Sequence, residues 1–208
     1  GVEERTLVAR DGETIETLVA TSPRLDERGD VVDCQTIYID ITERKRRETA
    51  ISALHDATQG LMAATDKQTV AEQAVETARA VLDQPINALW LYDDETDTLR
   101  PAAVTDEGRA AIGEPPVYDG GESLSWDAFV DGELRMYNDL RGEPGRVNPE
   151  TAVQSEIVLP LGEHGVMNFG ATEPAEFDDA DVSLARVFGA TVDAALSRAE
   201  REDDLALY

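Results

Sequence analysis

Alternation of apolar and polar positions marks the first forty residues. Runs at 4–9 and 14–21 flank the turn dipeptide Asp11-Gly12, and a third run from Val31 to Ile41 follows the polar stretch from Pro23 to Asp30. This period of two, broken by turn residues, predicts three strands joined as hairpins. So small a meander has little core of its own, and it reads as the closing part of a domain that began upstream.

From Asp40 the period lengthens. Thr42 is placed to cap a helix, and Ile51, Leu54, Thr58 and Leu61 recur at heptad spacing. Thr65 and Gln68 have the spacing of a capping box, and a stripe of Val70, Ala71, Ala74, Val75, Ala78, Val81 and Leu82 runs to the break at Pro85. Residues 86–92 are apolar on both faces, as a central strand should be, and Pro101 predicts an edge strand at 98–104. A short helix at 106–112 is expected next, then one capped by Ser123 that carries Trp126, Phe129 and Val130 and is closed by Gly132. A short strand at 134–138, a polar loop at 141–152 and a hairpin at 156–172 follow. The last helix is expected from about Asp178, with the stripe Leu184, Ala185, Phe188, Val192, Ala195, Leu196 and Ala199. The pattern predicts an α+β chain, an antiparallel sheet with helices packed on one face.

Two stretches resemble known families. Asp40-Ile41-Thr42-Glu43-Arg44-Lys45 resembles the junction that closes PAS sensor domains and opens their signalling helix, and the strands before it are similar to the last three of a PAS core. The rest resembles a GAF domain, particularly those of haloarchaeal sensory proteins. The resemblance is carried by Leu54-His55-Asp56-Ala57-Thr58, Leu91-Tyr92-Asp93, Gly121-Glu122-Ser123-Leu124-Ser125-Trp126, Leu159-Pro160-Leu161-Gly162 and Glu176-Phe177-Asp178-Asp179-Ala180-Asp181. The resulting division is a PAS end at 1–41, a signalling helix at 42–64, a GAF domain with its exit helix at 65–203, and a tail at 204–208. The resemblance implies small-molecule or light sensing and dimeric relay to an effector. The resemblance implies a histidine kinase as that effector; the alternatives are the sensor region of a bacterio-opsin-activator-like transcription regulator, or a degenerate domain that only dimerises.

Charge narrows the setting. Forty-four Asp and Glu against eighteen Lys and Arg give a net charge of −26, dispersed among periodic apolar residues. Such a field repels nucleic acid and anionic membrane and favours a surface adapted to multimolar salt. The basic run Arg44-Lys45-Arg46-Arg47 is then a solvated helix face rather than a nucleic-acid footprint. No stretch is long and apolar enough for a membrane span, and the opening Gly1-Val2 reads as an excised piece without a signal peptide, so a cytoplasmic setting is expected. The surplus apolar stripes of the linker and terminal helices predict a homodimer.

Few residues offer catalytic chemistry, and the segment is expected not to be an enzyme. Cys34 is the single cysteine and lies in the PAS-like part, which argues against a covalent bilin in the GAF-like part. His55-Asp56 resembles a kinase phosphoacceptor box, but Gly60 stands where proline is expected, and an ordinary linker histidine is the default. Phe177 and Asp181 match part of the cyclic-nucleotide pattern, yet Val182 follows where Glu is expected; the simpler roles are packing and helix-terminus charge. His164, in the turn Gly162-Glu163-His164-Gly165, is expected at the surface, which argues against haem or metal. Trp90, Tyr92, Trp126, Phe129, Tyr137 and Phe169 are candidates for a ligand pocket, with ordinary core packing the competing role. Signal relay is assigned to Asp40, Thr42, Ile51, Leu54, Leu61, Leu184, Phe188 and Val192.

Overall fold

The computed structural model describes residues 2–8, 10, 14–42, 44–45, 58–121 and 123–206. Ile51, Leu54 and His55 lie outside them. The chain divides into two compact units, Gly1–Ala53 and Leu54–Tyr208.

The first unit is an antiparallel sheet in the order β1 (Val2–Val8), β2 (Thr14–Leu25), β3 (Val31–Asp40). The Asp26 carboxylate shapes the β2–β3 turn by accepting from the amides of Arg28 and Asp30. Thr17, Val19 and Ile41 are buried, whereas β1 and β3 are exposed along their whole length. At the end of β3 the Thr42 hydroxyl accepts from the Glu16 amide at 2.9 Å, and the Asp40 carboxylate accepts from the Thr42 amide at 2.8 Å. Thr42 is therefore not the cap, because its side chain is engaged with β2 and its own amide is held by Asp40. The Ile41 carbonyl accepts the first helical bond, from the Lys45 amide.

The second unit is built on a five-stranded antiparallel sheet, order β5-β4-β8-β7-β6. Its strands are β4 (Ile86–Asp93), β5 (Thr98–Val104), β6 (Arg135–Tyr137), β7 (Ser155–Leu161) and β8 (Gly165–Ala171). β5 is an edge, as Pro101 requires, and the ladder slips by a bulge beside Trp90. Helix α1 (Lys67–Val81) starts at Asp66, whose carboxylate accepts from the Thr69 amide. The expected Thr65 cap is thus displaced by one residue, and a carboxylate at that position also suits the positive helix end. Helix α2 (Asp106–Ile112) is capped by Thr105, and α3 (Leu124–Asp131) runs from Ser123 to a left-handed Gly132, as expected. Helix α4 (Asp179–Ala206) opens with a reciprocal box: Asp178 accepts from the Asp181 amide while Asp181 accepts from the Asp178 amide.

Strand alternation divides the core into two faces. Leu89, Ile157, Leu159, Leu161, Met167 and Phe169 point to α1 and α4 and pack with Val70, Ala74, Ala78, Phe188, Val192 and Leu196. Gly189 lets α4 approach β7, since a Cβ there would meet Leu159 at 2.7 Å. Ala88, Trp90 and Val166 point the other way, where α2, α3 and the loops cover them. The long helices share one face, as expected, and the second face is closed by short ones.

One position of the predicted stripe on the last helix, Leu184, departs from expectation. Phe188 and Val192 are buried in the helix-side core with Leu61, but Leu184 is 39% exposed and Val187, outside the predicted stripe, is 61% exposed. The inward stripe therefore runs through Val182 and Ala185 and passes beside Leu184.

Candidate ligand pocket

The second face of the five-stranded sheet holds a cavity of about 80 Å³, bounded by β4, β7, β8, the start of α3 and the loop after β6. Its polar floor comes from two strands. Val158 stands opposite Asn168 across the β7–β8 ladder, so Glu156, two residues earlier, shares the face of Asn168 and meets it diagonally. The Asn168 amide nitrogen donates to Glu156 Oε1 and to Ser125 Oγ, both at 2.9 Å. These two bonds use both amide hydrogens, and Asn168 Oδ1 is buried without a hydrogen-bond partner. Asn168 itself is 6% exposed.

The walls are aromatic and apolar. Trp90 and Tyr118 stand with ring centroids 5.5 Å apart, and the Trp90 indole donates to the Pro116 carbonyl at 2.9 Å. Arg146 closes the loop side. Its Nη2 donates to the Val153 carbonyl at 2.7 Å and to the Thr151 carbonyl at 3.2 Å, so the guanidinium ties the loop together. The Gly145 carbonyl accepts from the Leu124 amide and joins that loop to α3.

Burial decides the protonation chemistry. It pushes the Glu156 carboxyl up to about 7, against the Asn168 hydrogen bond and the Arg146 charge, which both favour the anion. The Tyr118 phenol is pushed up by burial first and by the Glu156 charge second. The cavity thus contains an acid that titrates near neutrality, next to an acceptor with no donor.

The six aromatic candidates are not brought together. Trp90 lines the cavity. Tyr92, Trp126 and Phe129 form an aromatic cluster beside it, with Tyr92 and Phe129 centroids 5.0 Å apart. Tyr137 belongs to a separate group with Leu124, Leu140 and Val153. Phe169 stands opposite Asn87, which puts it on the α1–α4 face, away from the cavity. Tyr118, Ser125, Arg146, Glu156 and Asn168 were not among the candidates. Two of them were open to detection: Asn168 is a polar interruption in a strand otherwise apolar on both faces, and Glu156 is a charged residue at the start of the apolar run Ile157–Leu161.

His164 is 4% exposed, contrary to the expectation from its turn. The turn folds back against α4, and its carbonyl joins the sheet by accepting from the Tyr92 amide at 2.8 Å. The imidazole Nε2 lies 2.9 Å from Ser197 Oγ, and Nδ1 lies 3.8 Å from Glu200. Glu163, His164 and Glu200 bring possible metal-ligand atoms within 4.8 Å of one another. Lys67 already pairs with Glu200 at 2.6 Å and holds that carboxyl below its usual range. The arrangement works as a clasp between the β7–β8 turn and α4.

The sequence profile of the GAF domain matches residues 64–197, more than half of the chain. The chain belongs to the GAF domain family. No curated protein matches it. Among solved structures, the GAF domain of a phosphoenolpyruvate-protein phosphotransferase from Coxiella burnetii is 17% identical with a TM-score of 0.63, covering 74% of this chain and 96% of that one. A free methionine-R-sulfoxide reductase from Neisseria meningitidis, solved with its substrate, is 16% identical with a TM-score of 0.61, over 73% of this chain and 90% of that one. A methyl-accepting chemotaxis protein is 16% identical with a TM-score of 0.57, over 72% and 98%. At these identities the likeness is one of fold. In this GAF domain the cavity face is the one that α1 and α4 leave free, and no helix among the described residues is long and apolar enough to cross a membrane.

Proposed function

We propose that this chain is a sensory and relay module of a signal-transduction protein. Its GAF domain binds a small ligand in the cavity over Glu156 and Asn168, and paired helices carry the change to an effector, a histidine kinase. The observation that carries this reading is the cavity itself, where an aromatic wall and unspent polar capacity meet under a loop held by Arg146. Exposed Leu184 and Val187 on α4 supply an apolar edge for a second copy in a homodimer. The first unit acts as the end of a PAS domain, with Asp40 and Thr42 coupling its sheet to the signalling helix. The setting is a cytoplasm of high salt, given a net charge of −26.

The module works by binding and not by catalysis. Thiol-based reduction, for one, needs a cysteine, and residues 54–208 contain none. The test is small-molecule mass spectrometry on the protein purified from its own host, beside the variant Ser125→Phe, which fills the cavity. A compound retained by the parent and absent from a folded variant supports the reading. An empty parent that gains no stability from any metabolite pool of that host leaves a domain that only dimerises.

A further inference from the structure

Unspent hydrogen-bonding capacity identifies the kind of molecule the cavity suits. Asn168 Oδ1 is an acceptor without a donor. Glu156 Oε1 takes one bond from Asn168, and among the described residues Oε2 takes none. The nearest protein cation is already engaged, because Arg146 donates to the carbonyls of Leu140, Thr151 and Val153. What remains is therefore two acceptors, one of them able to carry a charge, beside the rings of Trp90 and Tyr118. A donor-bearing cation satisfies all of these at once; an anion satisfies none.

We infer that the cavity selects a small organic cation, an amidinium, guanidinium or methylammonium head group held by Glu156 and Asn168 beside the Trp90–Tyr118 pair. This rests on the reading of the cavity as a sensory pocket. Its volume of about 80 Å³ sets the size. A dry cavity of roughly 150 Å³ takes benzene, so there is room here for about three or four non-hydrogen atoms. Any larger part of the ligand extends toward the loop at 145–148.

Charge then couples binding to protons. Glu156, pushed up to about 7 by burial, is partly protonated at neutrality, and a bound cation draws it to the anion. The groups facing it are accounted for. Arg146 attracts it from the loop, Tyr118 faces it as a neutral phenol, and Ser125 comes from α3 without charge. From β6, Tyr137 stands directly opposite, and Arg135 beyond it is paired with Asp131. The Arg146 charge opposes cation binding and favours the Glu156 anion, so it lowers the pH at which the dependence falls without steepening it.

The test uses three probes of one shape: acetamidinium, acetamide and acetate, titrated into the full chain at constant high salt. Calorimetry in two buffers of different ionisation enthalpy reads affinity and proton exchange together. Acetamidinium should bind at least tenfold more tightly than acetamide, several-fold more tightly at pH 8 than at pH 6, and should release up to about half a proton per site near pH 7. Glu156→Gln, which keeps the shape and the Asn168 bond, should remove the preference and the proton release, and Thr65→Ala, away from the cavity, should leave both in place. Equal binding of acetamidinium and acetamide, or preference for acetate, overturns the inference. If none of the three binds while a host metabolite is retained in the cavity, the cation class is wrong and the sensory reading stands; if nothing is retained either, both fall.

Discussion

The two faces of the GAF sheet obey different rules. On the helix face, Leu89, Ile157, Met167 and Phe169 meet Ala74, Phe188 and Leu196 in a core of apolar side chains. On the other face the same strands, one residue out of step, present the carboxyl of Glu156 and the amide of Asn168 to a cavity. An unpaired buried acceptor does not by itself separate the faces, since Asn87 Oδ1 is one too on the α1 side. One face is filled to hold the fold, and the other gives up stability to keep a place open. That contrast is what a binding module needs, since a site satisfied by its own protein has nothing left to offer a ligand.

The largest effect should come from breaking the packed face. Phe188→Ala removes a fully buried ring and should cost about 3–5 kcal/mol in denaturant unfolding. Glu156→Gln should act in the opposite direction. The Glu156 carboxyl rises from about 4.5 in the unfolded chain to about 7 in the fold, so the folded state holds the extra proton between those values. Stability contributed by this group is therefore highest below pH 4.5, falls as pH rises toward 7, and stays low above it. The neutral variant should escape that loss, gaining up to about 3 kcal/mol at pH 8 over the parent and almost nothing at pH 4, by thermal unfolding across the range.

Legibility from sequence follows the same division. The helix face could be read because its signal is periodic: Val70, Ala71, Ala74 and Ala78 on α1, Phe188, Val192, Leu196 and Ala199 on α4. The edge position of β5 was written in Pro101, and the limits of α3 in Ser123 and Gly132. The cavity face was harder because its identity depends on register. Phe169 and Trp90 look alike as aromatic residues in strands, and only the pairing of Phe169 with Asn87 shows that they point to opposite sides. His164 was misplaced for a related reason. Turn residues predict a turn, not what packs over it, and α4 covers this one from thirty residues away.

Smaller effects sharpen the account of the helix face. Ser197→Ala removes the partner of the buried His164 ring and should cost about 1 kcal/mol, with loosened amide exchange at residues 162–165. Asp66→Ala should cost about 1 kcal/mol through loss of the α1 cap, whereas Thr65→Ala should change little. Equal costs at 65 and 66 would restore Thr65 as the cap.

The central claim is that the cavity face keeps a buried carboxyl poised for a ligand. Its most direct test is a pH titration of the Glu156 side-chain carboxyl carbon by nuclear magnetic resonance, in high salt and without added ligand. The midpoint should lie near 7 and fall when acetamidinium is added. A midpoint in the ordinary carboxylate range, unmoved by acetamidinium, would show a solvated side chain and contradict it.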